Sequence, residues 1–145
     1  MPVPQLSVFL DNRPGSLSEV LAHLDRLKIR IYALSIADAG EFGLVRMIVD
    51  DIEEASEVLE DASYHLAKSR KNTEVTIVLI DEDQKISSVS KILGDNEINI
   101  EYAYSSAVQV DRRSSLIIRA SEIDEAERIL KENNVKVLSM VDIMG

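Results

Sequence analysis

One apolar pattern is written twice in this 145-residue chain. Leu6, Val8 and Leu10 return as Val75, Ile77 and Leu79. Leu17, Val20 and Leu24 return as Ile86, Val89 and Leu93, and Ile29 and Ile31 as Ile98 and Ile100, all in a single register without a gap. Further on, Val45, Met47 and Val49 match Leu116, Ile118 and Ala120, while Ile52, Ala55 and Leu59 match Ile123, Ala126 and Leu130. This second group needs a short insertion between Ala107 and Ser115. Matching apolar positions over so long a period mark two copies of one supersecondary unit. A unit of about 70 residues buries only about 60% of the surface its unfolded chain exposes, so it gains by packing on further surface.

Each copy reads as strand, helix, strand, strand, helix, strand. In the first, Gln5–Leu10 alternates around β-branched and aromatic residues, and Leu17, Val20, Leu21 and Leu24 follow helical spacing. Ser16 with Glu19 has the form of a capping box, as does Asp50 with Glu53. Strands are expected at Arg30–Ala37, Leu44–Val49 and Tyr64–Ala67, and a second helix carries Ala55, Val58 and Leu59. In the second copy, strands are expected at Glu74–Ile80, Asn99–Val110, Ser115–Ala120 and Lys136–Met140, with helices at Lys85–Asn96 and Ile123–Glu132. The fold class is therefore α+β: two tandem ferredoxin-like βαββαβ domains, residues 1–69 and 70–145, each an antiparallel sheet with helices on one face. Polar Ser69–Thr73 is the expected linker. Leu6, Val8 and Leu10, and likewise Val75, Ile77 and Leu79, are assigned to the helix-facing side. Phe9, Leu34, Val78 and Ile80 then fall on the other face, which suggests burial against another sheet or a second subunit.

The net charge of −10 argues against nucleic acid and anionic membranes as partners. An RNA-binding sheet of this topology would also need stacking aromatics, and only 4% of residues are aromatic. The chain has no Cys, which removes disulfides and thiolate chemistry. His23 and His65 have no clustered third ligand, so no metal site is expected. Asp81, Glu82 and Asp83 lack the calcium-loop pattern. Arg13 follows the first strand as a phosphate-cradling arginine would in an acylphosphatase-like enzyme, but Asp11 beside it and the lack of a Gly-rich cradle argue against that. No phosphate-binding loop, dinucleotide fingerprint or nucleophile elbow is present, and no nucleophile has a plausible base. With no visible signal peptide and no apolar run of about 20 residues, the cytoplasm is the expected location.

The first strand ends in Asp11-Asn12-Arg13-Pro14-Gly15-Ser16-Leu17 and runs straight into a helix. This loop suits a small zwitterion. Gly15 lets backbone approach a ligand with no Cβ in the way. Free amides at the helix start favour a carboxylate. Asn12 can donate and accept, and Asp11 offers a charge to an ammonium group. Ser35 and Asp38 on the neighbouring strand would add polar contacts, with Leu34, Ile36 or Phe42 against the ligand side chain. The plainer reading of the same residues is a Pro-Gly turn with a helix cap and no ligand. The matching second loop, Asp81-Glu82-Asp83-Gln84-Lys85, has no Gly or Pro, and its acidic residues would repel a carboxylate. Tyr102 and Tyr104 on the strand beyond it could line a site there, and their plainer reading is sheet packing.

The Asp-Asn-x-Pro-Gly-x-Leu pattern, with the Ala33–Asp38 segment and the Glu41–Val49 hairpin, resembles the ACT domain family, in particular its small stand-alone tandem members. The resemblance covers nearly the whole chain and is stronger in the first copy. It implies a regulatory or sensor protein, not an enzyme and without a cofactor. Such a protein binds a free amino acid at a domain or subunit interface and modulates a metabolic enzyme in trans, as a homodimer. The candidate ligand-binding residues are Asp11, Asn12, Arg13, Pro14, Gly15, Ser16, Leu17, Leu34, Ser35, Ile36, Ala37, Asp38 and Phe42. The alternative is a structural or protein-interaction module that binds no ligand.

Overall fold

The computed structural model describes residues 2–145, Ala39 by its backbone only. A two-residue strand, β1 (Val3–Pro4), opens it. There follow β2 (Leu6–Asp11), α1 (Ser16–Arg26), β3 (Ile31–Ala39), β4 (Phe42–Val49), α2 (Ile52–Asp61) and α3 (Arg70–Thr73). The second copy supplies β5 (Glu74–Ile80), α4 (Ile86–Asp95), β6 (Ile100–Ser105), β7 (Ser114–Ala120), α5 (Ile123–Glu132), β8 (Val137–Leu138) and α6 (Met140–Met144). Two compact units result, Pro4–Thr73 and Glu74–Gly145, the latter joined by Val3. The tandem βαββαβ fold is thus present in both copies.

In the first unit an antiparallel sheet runs in the order β2-β4-β3. Val8 pairs with Val45 and Leu10 with Gly43 across β2 and β4, while Leu34 pairs with Met47 and Ile36 with Val45 across β3 and β4. The expected strand at Tyr64–Ala67 is reduced to a bridge between Leu66 and Val8, flanked by bonds from the Phe9 amide to the His65 carbonyl and from the Ala67 amide to the Ser7 carbonyl, both 2.9 Å. Leu6, Val8, Val45 and Met47 close on Val20 and Leu24 of α1 and on Ala55 and Leu59 of α2. Residues 70–73, expected as linker, form one helical turn. It is pinned to β2 by the Ser7 hydroxyl, which donates to the Asn72 carbonyl at 2.6 Å.

The second unit's sheet runs β1-β5-β7-β6, with β8 also on β5. Here the gap-free register of the repeat is corrected. The core of this unit contains Val78, with Ile80 packed against it, beside Val89, Leu93, Leu116, Ile118 and Leu130. Val78, not Ile77, is therefore the partner of Val8. Strand and helix remain in step only because the second copy's first loop is one residue shorter. Leu34, Val78 and Ile80 accordingly face helices. Of the four residues assigned to an outer apolar face only Phe9 remains, 39% exposed. In the second unit Val75, Ile77 and Leu79, assigned to the helix-facing side, take the face away from the helices and are buried there. The expected strand to Val110 stops at Ser105, and Met140 begins α6 rather than ending a strand.

Four helices end in the same way. Lys28, Ser63, Glu97 and Asn134 take positive φ (57°, 71°, 60° and 62°). The next residues, Ile29, Tyr64, Ile98 and Val135, return their amides to the carbonyls of Leu24, Leu59, Leu93 and Leu130. This is the six-to-one bond of a Schellman ending, with an apolar residue folded back onto the helix that it terminates. It directs each chain exit toward the core, so the strands that follow begin in register.

Candidate functional site

The loop between β2 and α1 is held from both sides. The Asn12 amide donates to the Glu41 carbonyl at 3.2 Å, and Asn12 Nδ2 donates to the Gly40 carbonyl at 3.3 Å and to Asp38 Oδ1 at 3.5 Å. Asp38 Oδ1 also accepts from the Gly40 amide at 3.0 Å. Asn12 and Asp38 therefore tie the loop to the β3–β4 hairpin, and the Asn12 donor is occupied by that task.

At its other end the loop enters α1 through Gly15, whose φ of 88° makes it the residue before the first helical turn. The expected capping box does not form. Ser16 is the first helical residue rather than the cap, so its hydroxyl cannot fold back onto the amides ahead of it. Glu19 turns to Arg13, with Nη2 to Oε2 at 3.0 Å. The consequence is an open helix start. No side chain caps it, and among the described residues the amides of Leu17 and Ser18 meet no acceptor. The Ser16 hydroxyl is buried with no hydrogen-bond partner among the described residues. An unpartnered buried hydroxyl costs roughly 1–3 kcal/mol.

α4 and α5 also start without a side-chain cap, whereas α2 and α6 are capped. Asp51 caps α2 by accepting from the Glu54 amide at 3.0 Å, one residue along from the expected Asp50–Glu53 box. Asp50 instead accepts from the Arg30 amide at 3.0 Å. Ser139 and Asp142 form a complete box on α6.

Around the open start of α1 lies a cleft of 350 Å³. It gathers Asp11, Asn12, Arg13, Gly15, Ser16, Leu17 and Ile36 from the candidate residues, and adds Leu10, Ser18 and Gly43. Leu10 and Gly43 face each other across β2 and β4, and the missing side chain at Gly43 leaves space beside Leu10. The sequence carries no signal for that pairing, since it does not by itself set the two residues opposite each other. Pro14 is exposed in the loop but does not line the cleft. Leu34 packs into the core. Ser35 and Ala37 lie on the sheet face away from the helices, opposite Arg46 and Leu44. Phe42 lines a separate cleft of 180 Å³ with Phe9, Tyr64 and His65, and Leu10 and Asp11 border both.

The second copy fills its own loop. Asp81 Oδ1 accepts from the amides of Gln84 at 2.7 Å and Asp83 at 2.9 Å, and Oδ2 meets Arg113 Nη1 at 3.0 Å. The Gln84 amide, the Arg113 guanidinium and the Asp83 amide hold this carboxyl below the usual aspartate range. With Ile86 set against Leu17, Gln84 stands where Gly15 stands in the first copy, and Lys85 is the residue that precedes α4. Among the described residues no three His, Cys, Asp or Glu side chains cluster as a metal site needs, and no helix is long and apolar enough to cross a membrane.

A family model described as an ACT domain pair matches residues 1–145. The chain belongs to the ACT domain pair family. Among solved structures, a Bacteroides thetaiotaomicron protein is 30% identical, with a TM-score of 0.85 over 99% of this chain and 96% of its own. The regulatory subunit of aspartate kinase from Thermus thermophilus, in a ligand-free form, shares 18% identity at a TM-score of 0.60, over 89% of this chain and 91% of its own. Its counterpart from Thermus flavus shares 19% at 0.58, over 89% and 90%. These last two likenesses are of fold alone. No curated protein matches the chain.

Proposed function

We propose that this ACT pair is a regulatory protein without catalytic activity. It reversibly binds a free amino acid at the loop Asp11–Leu17 and passes the signal to a metabolic enzyme in trans, as a homodimer in the cytoplasm. The observation that supports this reading is the uncapped start of α1, where two free amides and an unpartnered hydroxyl border a cleft large enough for a small ligand. A carboxylate there would accept from the amides and meet the favourable end of the helix dipole. The ligand would change the protein's state through unequal affinity for two arrangements. The two Thermus proteins of like fold are regulatory subunits by their own description, which agrees with a role beside an enzyme.

Thermal denaturation of the full chain with each of the twenty amino acids tests the reading. At 100 times its dissociation constant, a ligand specific to the folded state adds about 2.7 kcal/mol, a rise of several degrees. No shift with any amino acid at millimolar concentration would leave the tandem fold as an interaction scaffold.

A further inference from the structure

We infer that the ligand of this cleft is an amino acid with an uncharged, apolar side chain, and that Ser16 is one of the groups that grips its carboxylate. The inference rests on the amino-acid reading above and narrows it.

The polar side of the cleft offers the free amides of Leu17 and Ser18 and the Ser16 hydroxyl. Ser16 is 7% exposed and lines the cleft, yet its oxygen has no partner among the described residues. A buried hydroxyl beside two free amides is a donor set for one anionic group. That set is used once a single carboxylate is bound.

The rest of the wall does not answer a second charge. Among the described residues the one cation lining the cleft is Arg13; Glu19 holds it through Nη2 at 3.0 Å and Nη1 at 3.4 Å, and Asp11 Oδ2 lies 3.9 Å from its Nε. A ligand with an acidic side chain would find no free cation and would meet Asp11. One with a basic side chain would place it among Leu10, Leu17 and Ile36, where removal from water goes uncompensated. Those three side chains, with the bare backbone of Gly43 opposite Leu10, form an apolar wall. Ile36 is 53% exposed, so apolar area remains there for a ligand to cover. Asp11 at the rim, whose Oδ2 lies 3.9 Å from Arg13 Nε, has carboxylate acceptor capacity for the ligand's ammonium group.

The test is calorimetric titration of the full chain with L-valine, L-leucine, L-isoleucine, L-methionine and L-phenylalanine, against L-aspartate, L-glutamate, L-lysine and L-arginine. L-Leucinol, which lacks the carboxylate, serves as a control. The apolar set should bind at least about tenfold more tightly than the charged set, and leucinol should not bind. The Ser16→Ala protein should weaken apolar ligands about tenfold. Its melting temperature without ligand should be unchanged or higher, because the variant removes an unpartnered hydroxyl. Ile36→Lys, at an exposed position, should cancel the apolar preference. Tighter binding of a charged amino acid would overturn the inference and leave the amino-acid reading standing. Unchanged affinity in Ser16→Ala would remove Ser16 from the grip. Failure of every amino acid would overturn the broader reading, and this one with it.

Discussion

The Arg13 guanidinium lies across the first turn of α1 on the Glu19 carboxylate, two nitrogens facing two oxygens at 3.0 and 3.4 Å. Hydrogen bonding to Glu19, then its charge, raises the Arg13 pKa above its ordinary value. Both groups are exposed, so the pair contributes little to stability. On the proposed reading its effect is on selectivity, because it occupies the Arg13 guanidinium at the cleft. Glu19→Gln should therefore leave the melting temperature almost unchanged and free Arg13 to meet a second carboxylate. Titration with L-glutamate should show a gain in affinity that fades as salt is raised. No gain would mean that Arg13 is held away from the cleft by something other than Glu19.

Gly15 has a different constraint. A Cβ added there would meet nothing within 4 Å, yet the backbone sits at φ +88°. Space is available, but the conformation is not one that L side chains favour. Gly15→Ala should cost about 1–2 kcal/mol, and a β-branched residue should cost more. Chemical denaturation checks this. An equal cost for Ala and Asn would show that the loop relaxes out of its left-handed turn, since Asn tolerates that region better than Ala.

How far the residues reveal this molecule depends on which faces they separate. α5 was expected at Ile123–Glu132 and β5 at Glu74–Ile80, and both are found at those bounds, because strong apolar periods end there in polar residues. The facing of β5 was not legible. Val75 through Leu79 are all buried, so alternation carries no information about which side meets the helices. Thr76, the one polar residue among them, looked like an outward position and in fact faces α5. The open start of α1 was hidden for another reason. Ser16 and Glu19 have the spacing of a capping box, and only the positive φ of Gly15 moves the cap back by one residue. The Schellman endings carry no glycine, so their usual sequence mark is missing.

Those endings make a prediction of opposite sign. Glu97 holds φ 60° without the freedom of glycine. Glu97→Gly should stabilise the protein by up to about 1 kcal/mol, because removal of the left-handed strain exceeds the entropy that glycine loses on folding. A rise in the denaturation midpoint with an unchanged slope would fit. A fall would mean that the Glu97 side chain contributes more than its backbone strain costs.

Thr76 owes its core-facing position to Glu127. Its hydroxyl donates to Glu127 Oε2 at 2.7 Å, with both residues buried. A bond to a charged acceptor away from water is worth about 1.5–3 kcal/mol. Thr76→Val keeps the shape and removes the donor, so the loss should be about 2 kcal/mol. Adding Glu127→Gln in a double-mutant cycle should recover part of it by lowering the charge left behind. Additive single costs would show that the two residues are not coupled.

Asp81 gives the second copy a pH signature. Its folded-state pKa is depressed, first by the Gln84 amide and then by Arg113. A carboxyl held below its unfolded value contributes stability that is fully present above the unfolded pKa, near 3.8. That contribution is lost as pH falls through the lower, folded value. The stability difference between wild type and Asp81→Asn should therefore be flat from neutral pH down to about 5 and should shrink progressively below about 4. The Asp81 side-chain carboxyl resonance, followed by NMR, should titrate with a midpoint below 3.8. In Asp81→Asn the amides of Asp83 and Gln84 should exchange faster at neutral pH, because the loop loses the anion that occupies it. A midpoint at or above the ordinary value would mean that Asp81 does not fill the second loop, and the contrast with the open first loop would lose its basis.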